Sequence, residues 1–126
     1  MPLLKKPLMT DNELKELQEI HVAAWNEKDR QKRDSLLQKI YAAEIKMYDR
    51  TFVLNGLKEV SDFIGKLISE DAAYSFAAAK PIASLQNSAR LYGHINTGGG
   101  PFNSMDFFLL EDGKVKHLYA YMEPAG

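Results

Sequence analysis

The stretch Ser104-Met-Asp-Phe-Phe-Leu-Leu-Glu-Asp-Gly-Lys-Val-Lys-His-Leu-Tyr-Ala-Tyr-Met-Glu123 decides the fold. Two runs rich in aromatic and β-branched residues flank Asp112-Gly113, and an Asp-Gly pair in that setting is the strongest short-range signal of a β-hairpin. On the second run Leu118, Ala120 and Met122 point one way, and His117, Tyr119 and Tyr121 the other. A strand with one wet face alternates apolar and polar residues. This hairpin is apolar on both faces, so each face is expected to be covered. A single charge, Asp106, sits in the first run between Met105 and Phe107. A carboxylate there is costly to bury unless it is paired or protonated.

The chain leading into the hairpin also reads as β. Residues 86–95 alternate Ser88, Arg90, Tyr92 and His94 against Ala89, Leu91, Gly93 and Ile95. Residues 74–79 form a short strand around Phe76 that Pro81 ends. Residues 96–101 are a Gly-rich connection without the Lys-Ser/Thr of a phosphate loop, and read as a mobile hairpin turn.

Further back the period changes to helical. Thr10-Asp-Asn-Glu13 is a capping box, with Met9 and Leu14 at hydrophobic-staple positions. The helix it opens carries Leu14, Leu17, His21, Ala24 and Trp25 on one stripe. A histidine in such a stripe is more often a satisfied core residue than a group for proton chemistry. Asp29 caps a second helix through Lys39, with Leu36, Leu37 and Ile40 inward and residues 30–33 as a solvated basic run. Residues 41–49 read as a strand, followed by a bend at residues 49–51 and a brief strand at 52–54. A third helix starts at Asn55 or Gly56 and turns Leu57, Val60, Phe63, Ile64, Leu67 and Ile68 inward. The order predicts an α+β domain in which three N-terminal helices pack on one face of a curved, mainly antiparallel sheet.

Composition sets the outer limits. The chain has 126 residues, which predicts one domain over residues 10–126 after a tail of residues 1–9. A net charge of -1 and the lack of a basic patch argue against nucleic acid as a partner. There is no cysteine, which removes disulfides and thiol catalysis. The start has no apolar core long enough for a signal peptide, and no stretch approaches a membrane span, so a cytoplasmic protein is expected. His21, His94 and His117 lack metal-ligand spacing, and no metal or cofactor is expected.

Several local pieces, taken in order, resemble the NTF2-like (cystatin-like) superfamily, in particular its SnoaL-like and ketosteroid-isomerase-like members. They are Trp25-Asn-Glu-Lys-Asp29, Tyr41-Ala-Ala-Glu-Ile-Lys-Met-Tyr-Asp49, Asn55-Gly-Leu-Lys-Glu-Val-Ser-Asp-Phe63 and the hairpin from Asp106 to Glu123. The resemblance implies a cone, with a bent sheet wrapped round three helices and an interior pocket. It also implies a homodimer formed through the outer sheet face. Asp49 matches the general base of ketosteroid isomerases, and Asp106 their protonated oxyanion-hole aspartate. Where those enzymes place a tyrosine on the first helix, this chain has His21. Where the epoxide hydrolases of the superfamily place an aspartate on the last strand, it has Ala120, which argues against that reaction.

The expected site is therefore a pocket for a small hydrophobic molecule. Asp49, Asp106 and His21 are the candidate catalytic residues. Trp25, Phe63, Phe76, Tyr92, His94, Asn103 and Phe107 are the candidate ligand-binding residues. The chemistry implied is proton transfer next to a carbonyl, as in an isomerase or aldol-type cyclase. The alternative is a dimeric, non-catalytic binding module. Two readings of single residues stay open: Asp49 as a turn cap, and Asp106 as the buried ion-pair partner of Arg90.

Overall fold

The structure, a computed structural model, describes residues 9–126, so all of the expected tail but Met9 lies outside the described residues. Three helices come first: α1 (Asp11–Ala24), α2 (Arg30–Ile40) and, after the hairpin β1 (Tyr41–Tyr48) and β2 (Val53–Asn55), α3 (Gly56–Glu70). Five strands follow: β3 (Ser75–Ala78), β4 (Ala83–Leu85), β5 (Ser88–Thr97), β6 (Gly100–Glu111) and β7 (Lys114–Pro124). They join β1 and β2 in one seven-stranded sheet of order β2-β1-β7-β6-β5-β3, with β4 also paired to β5. β1 runs parallel to β7, and the other pairings are antiparallel. This is the α+β cone of the NTF2-like fold.

Local chemistry accounts for the element boundaries. Thr10 accepts from the Glu13 N–H while Glu13 accepts from the Thr10 N–H, a complete capping box. Asp29 accepts from the Lys32 N–H and starts α2. Asp112 and Gly113 have φ of 53° and 79°, the two left-handed positions that let a two-residue turn follow the twist of β6 and β7. Register shifts in β6 between Leu109 and Leu110, and between β1 and β7, bend the sheet round the helices.

The core lies between the helices and the concave sheet face. Leu17, Leu37, Val60 and Ile64 meet Ile45, Leu91, Phe108, Val115 and Leu118, each almost without solvent exposure. Every such side chain contributes on the order of 1.5–3 kcal/mol when fully buried.

Three expectations need correction. Arg33 is not part of a solvated run: it is buried, donating from Nε to Ser61 Oγ at 2.9 Å and from Nη1 to the Glu27 carbonyl at 2.7 Å. It falls on the α2 face of Leu37 and Ile40 and ties α2 to α3. β4 is an additional strand, and the strand read from Gln86 begins at Ser88. Gln86 itself sits in a tight turn with φ of 55°, a conformation for which glutamine carries no sequence signal. At the Gly-rich turn three hydrogen bonds link residues 97, 98 and 100 to their surroundings. Both Asp71 carboxylate oxygens accept from the Gly98 N–H, and Thr97 Oγ1 donates to the Gly100 carbonyl.

Candidate active site

Strand alternation on β6 turns Ser104, Asp106 and Phe108 into the cone and Met105, Phe107 and Leu109 out of it. In register, Asp106 lies between Leu91 of β5 and Ala120 of β7. Arg90 is opposite Phe107 and exposed, so it cannot be the partner of Asp106. The partner is His21 from α1, whose Nε2 lies 2.9 Å from Asp106 Oδ2. His21 is fully buried among the rings of Trp25, Tyr41, Phe76 and Phe108.

The hydrogen bonds around His21 form a chain that assigns its protons. Trp25 Nε1–H donates to Tyr41 Oη at 2.9 Å, and Tyr41 Oη lies 2.6 Å from His21 Nδ1. Tyr41 has one hydroxyl proton and is buried, with Nδ1 as its acceptor. If Nδ1 carried a proton, the phenol oxygen would accept twice and its own proton would lose that acceptor, at a cost of about 1–3 kcal/mol. The satisfied arrangement has Tyr41 donating to a bare Nδ1 and Nε2–H donating to Asp106. Burial pushes the Tyr41 hydroxyl well above the ordinary tyrosine range; donation from Trp25 opposes this and the nearby Asp106 charge reinforces it. Tyr74, whose hydroxyl donates to the Trp25 carbonyl, is raised in the same way, first by burial and then by Asp106.

Asp106 faces a cavity of about 120 Å³. Trp25, Phe63, Tyr74 and Phe76 give it aromatic walls, Asp49 stands at one side, and residues 120–122 of β7 complete it. The side-chain amide of Asn26 exchanges two hydrogen bonds with the backbone of Phe76 and so fixes that ring over the site. Among the described residues, no lysine, arginine or histidine lines the cavity. A more open hollow of about 290 Å³ adjoins it and shares Asp49 and residues 120–122. Among the described residues no three of His, Asp and Glu converge as a metal site.

Of the residues singled out from sequence, Trp25, Asp49, Phe63, Phe76 and Asp106 line this cavity, and His21 stands directly behind Asp106. Asp49 also caps its own turn, accepting at Oδ1 from the Thr51 N–H. Tyr92, His94, Asn103 and Phe107 lie elsewhere, on the outward-facing positions of β5 and β6. Tyr92 stacks under Lys80, His94 pairs with Asn103, and Phe107 packs beside Tyr119. Their own alternation against Leu91, Ile95 and Asp106 was the signal that excludes them. The same alternation, carried two residues back from Asp106, points to Ser104, which the sequence reading missed. Ser104 lines the cavity, and its hydroxyl is the one buried side-chain polar atom without a partner among the described residues.

No protein-family model matches the chain, and no curated protein matches it in sequence. Solved structures do match. A SnoaL-like family protein from Agrobacterium tumefaciens superposes with a TM-score of 0.78 at 18% identity, over 89% of this chain and 98% of that one. An NTF2-like protein of unknown function from Cytophaga hutchinsonii gives 0.67 at 19% identity, over 95% and 96%. A protein of ketosteroid isomerase-like fold from Catenulispora acidiphila, in complex with trimethylamine, gives 0.69 at 10% identity, over 83% of each chain. The chain thus has the NTF2-like fold, in the form shared by SnoaL-like and ketosteroid isomerase-like proteins.

Proposed function

We propose that this protein binds a small, hydrophobic, uncharged carbonyl compound and catalyses proton transfer at the carbon next to the carbonyl. The observation that carries the reading is the Tyr41–His21–Asp106 chain, which holds the Asp106 carboxyl group, ionised in this proposal, against an aromatic cavity. Asp106 acts as the base. It takes the α-proton, the C–H electron pair becomes the enolate C=C bond, and charge moves to the carbonyl oxygen. The proton is then returned to the same carbon or to one further along. His21 is a positioning residue that aims the carboxylate. Asp49, with Oδ1 engaged by Thr51, is placed at the rim to assist the return. This reverses the roles that the ketosteroid isomerase resemblance implied for the two aspartates.

Size limits the substrate. A cavity of about 150 Å³ takes one benzene ring, so about 120 Å³ sets one small ring or a short branched chain as the upper size of what fits wholly inside. A larger substrate would place its reacting end here and its remainder in the adjoining hollow. Within the cavity, where no cation stands among the described residues, Asp49 and Asp106 disfavour an anionic group, whereas Arg50 lines the adjoining hollow. The trimethylamine complex of a protein with this fold supports a small-molecule site, though it says nothing of this chain's chemistry. The modest volume also favours, as a second reading, a binding module that holds a ligand without turnover.

Exchange of α-protons of cyclohexanone into D2O, followed by NMR, separates the two. Asp106→Asn keeps an acceptor for His21 Nε2–H, so stability should fall by no more than about 1–2 kcal/mol. The exchange rate should fall by about 100-fold or more with the base removed. Binding with no exchange by the wild type supports the module, and an unchanged rate in Asp106→Asn removes Asp106 from the mechanism.

A further inference from the structure

We infer that the Ser104 hydroxyl is the hydrogen-bond donor that holds the ligand's carbonyl oxygen. The inference deepens the carbonyl reading above and rests on it. Ser104 is 6% exposed, lines the cavity, and has no partner for its hydroxyl among the described residues. Buried hydroxyls are nearly always hydrogen-bonded, so an unpartnered one on a residue that lines a cavity points to a group that arrives with the ligand. The backbone is shaped to keep it there. A side chain at Gly93, opposite Ser104 in the register, would stand 2.6 Å from Ser104 Oγ and 2.7 Å from the Phe76 ring. Only glycine leaves both in place.

Ser104 and Asp106 project from the same face of β6, two residues or about 7 Å apart along the strand. A carbonyl oxygen and the C–H beside it, with one contact at each end, fit that span. The chemistry of the two ends is complementary. Asp106 is an ionised acceptor and takes the proton; Ser104 has a proton to donate and meets the oxygen where negative charge develops. Two other hydroxyls in the walls are spent elsewhere, Tyr74 on the Trp25 carbonyl and Thr97 on the Gly100 carbonyl. Ala120, opposite Asp106 in the register, lines the same cavity with no more than a methyl group.

The test compares two ligands of one shape, cyclohexanone and methylenecyclohexane, titrated into the full chain by amide NMR. The wild type should bind the ketone about 10-fold more tightly, the worth of one good hydrogen bond. Ser104→Ala should erase that preference while its melting temperature stays level or rises, because a buried unpartnered hydroxyl is gone. Should the alanine variant fold poorly, Ser104→Cys keeps the size with a weak donor and should show the same loss. A preference that survives in these variants overturns the assignment. Equal binding of both ligands by the wild type overturns it too, while leaving the pocket reading intact. Binding of neither overturns both.

Discussion

His21 shows how one residue changes meaning with its neighbours. On α1 it interrupts an apolar stripe, and in the fold it is the joint between a phenol and a carboxylate. Tyr41→Phe should therefore cost more than a lost hydroxyl. It strips an acceptor from Trp25 Nε1–H and a donor from His21 Nδ1, two buried groups at about 1–3 kcal/mol each. Chemical denaturation should register a loss of about 2–4 kcal/mol, and α-proton exchange should slow because the histidine tautomer is no longer held. The same phenols make a pH prediction. Tyr41 and Tyr74 are both raised in the fold, so the unfolded chain releases these protons first. Their contribution is full below about pH 10, the ordinary tyrosine value, and is lost as pH climbs from there toward the folded values. Stability measured between pH 8 and 11 should fall steeply at the top, and less steeply in Tyr74→Phe. How much of this site was legible depended on geometry at single positions. Asp106 stood out because a lone charge in an apolar strand demands a partner. Which partner was not legible, since His21 is 85 positions away and only the packing of α1 on β6 brings it there. Ser104 offered no hydrophobicity signal at all, only its place two residues before Asp106.

Elements carry the same lesson at larger scale. Helix starts and the last hairpin were legible because their signals are local: a capping box, an Asp cap and an Asp-Gly turn. β4 was not, since its turn at Gln86 uses a left-handed φ without glycine. Arg33 was misread although its position was informative, four and seven residues before Leu37 and Ile40 on a helix whose buried face they share. It belongs to a polar net in which Ser61 also donates to Asp34, and Arg30 bridges Asp34 and Asp62. Burial alone would raise the Asp34 carboxyl, yet the Ser61 hydroxyl and Arg30 hold it below the ordinary range. Arg33→Met should cost on the order of 2–3 kcal/mol, because the Glu27 carbonyl and Ser61 lose a buried donor. Lys32→Met, on the exposed side of the same turn, should stay within about 0.5 kcal/mol. Thermal melts of the pair decide whether α2 is held to α3 through this guanidinium or by apolar packing alone.

At the scale of the molecule, the outer sheet face remains to be explained. Tyr48 stacks on Tyr119 with ring centroids 4.5 Å apart, Phe107 lies beside Tyr119, and Tyr121 is 59% exposed on the same strand. A helix layer covers the inner face, but among the described residues nothing of the kind covers this one. Aromatic area left open on a sheet commonly marks an interface. A second copy is the partner we expect, since β7 is apolar on both faces from Leu118 to Met122 and a two-fold pairing would bury it symmetrically. Sedimentation at micromolar concentration should give the mass of a dimer. Tyr121→Glu should shift it toward monomer, because a charge without a partner is costly to bury. Gln31→Glu, the same charge placed on the exposed side of α2, should leave the mass unchanged. The pocket gives this experiment a second readout. Tyr121 lines both the cavity and the adjoining hollow, so the outer face and the site share a wall. If pairing fixes that wall, ketone affinity should weaken as the protein is diluted through its dimer range, and Tyr121→Phe should keep both dimer and affinity. A wild type that sediments as a clean monomer at these concentrations would leave the aromatic face to some other partner and uncouple it from the pocket.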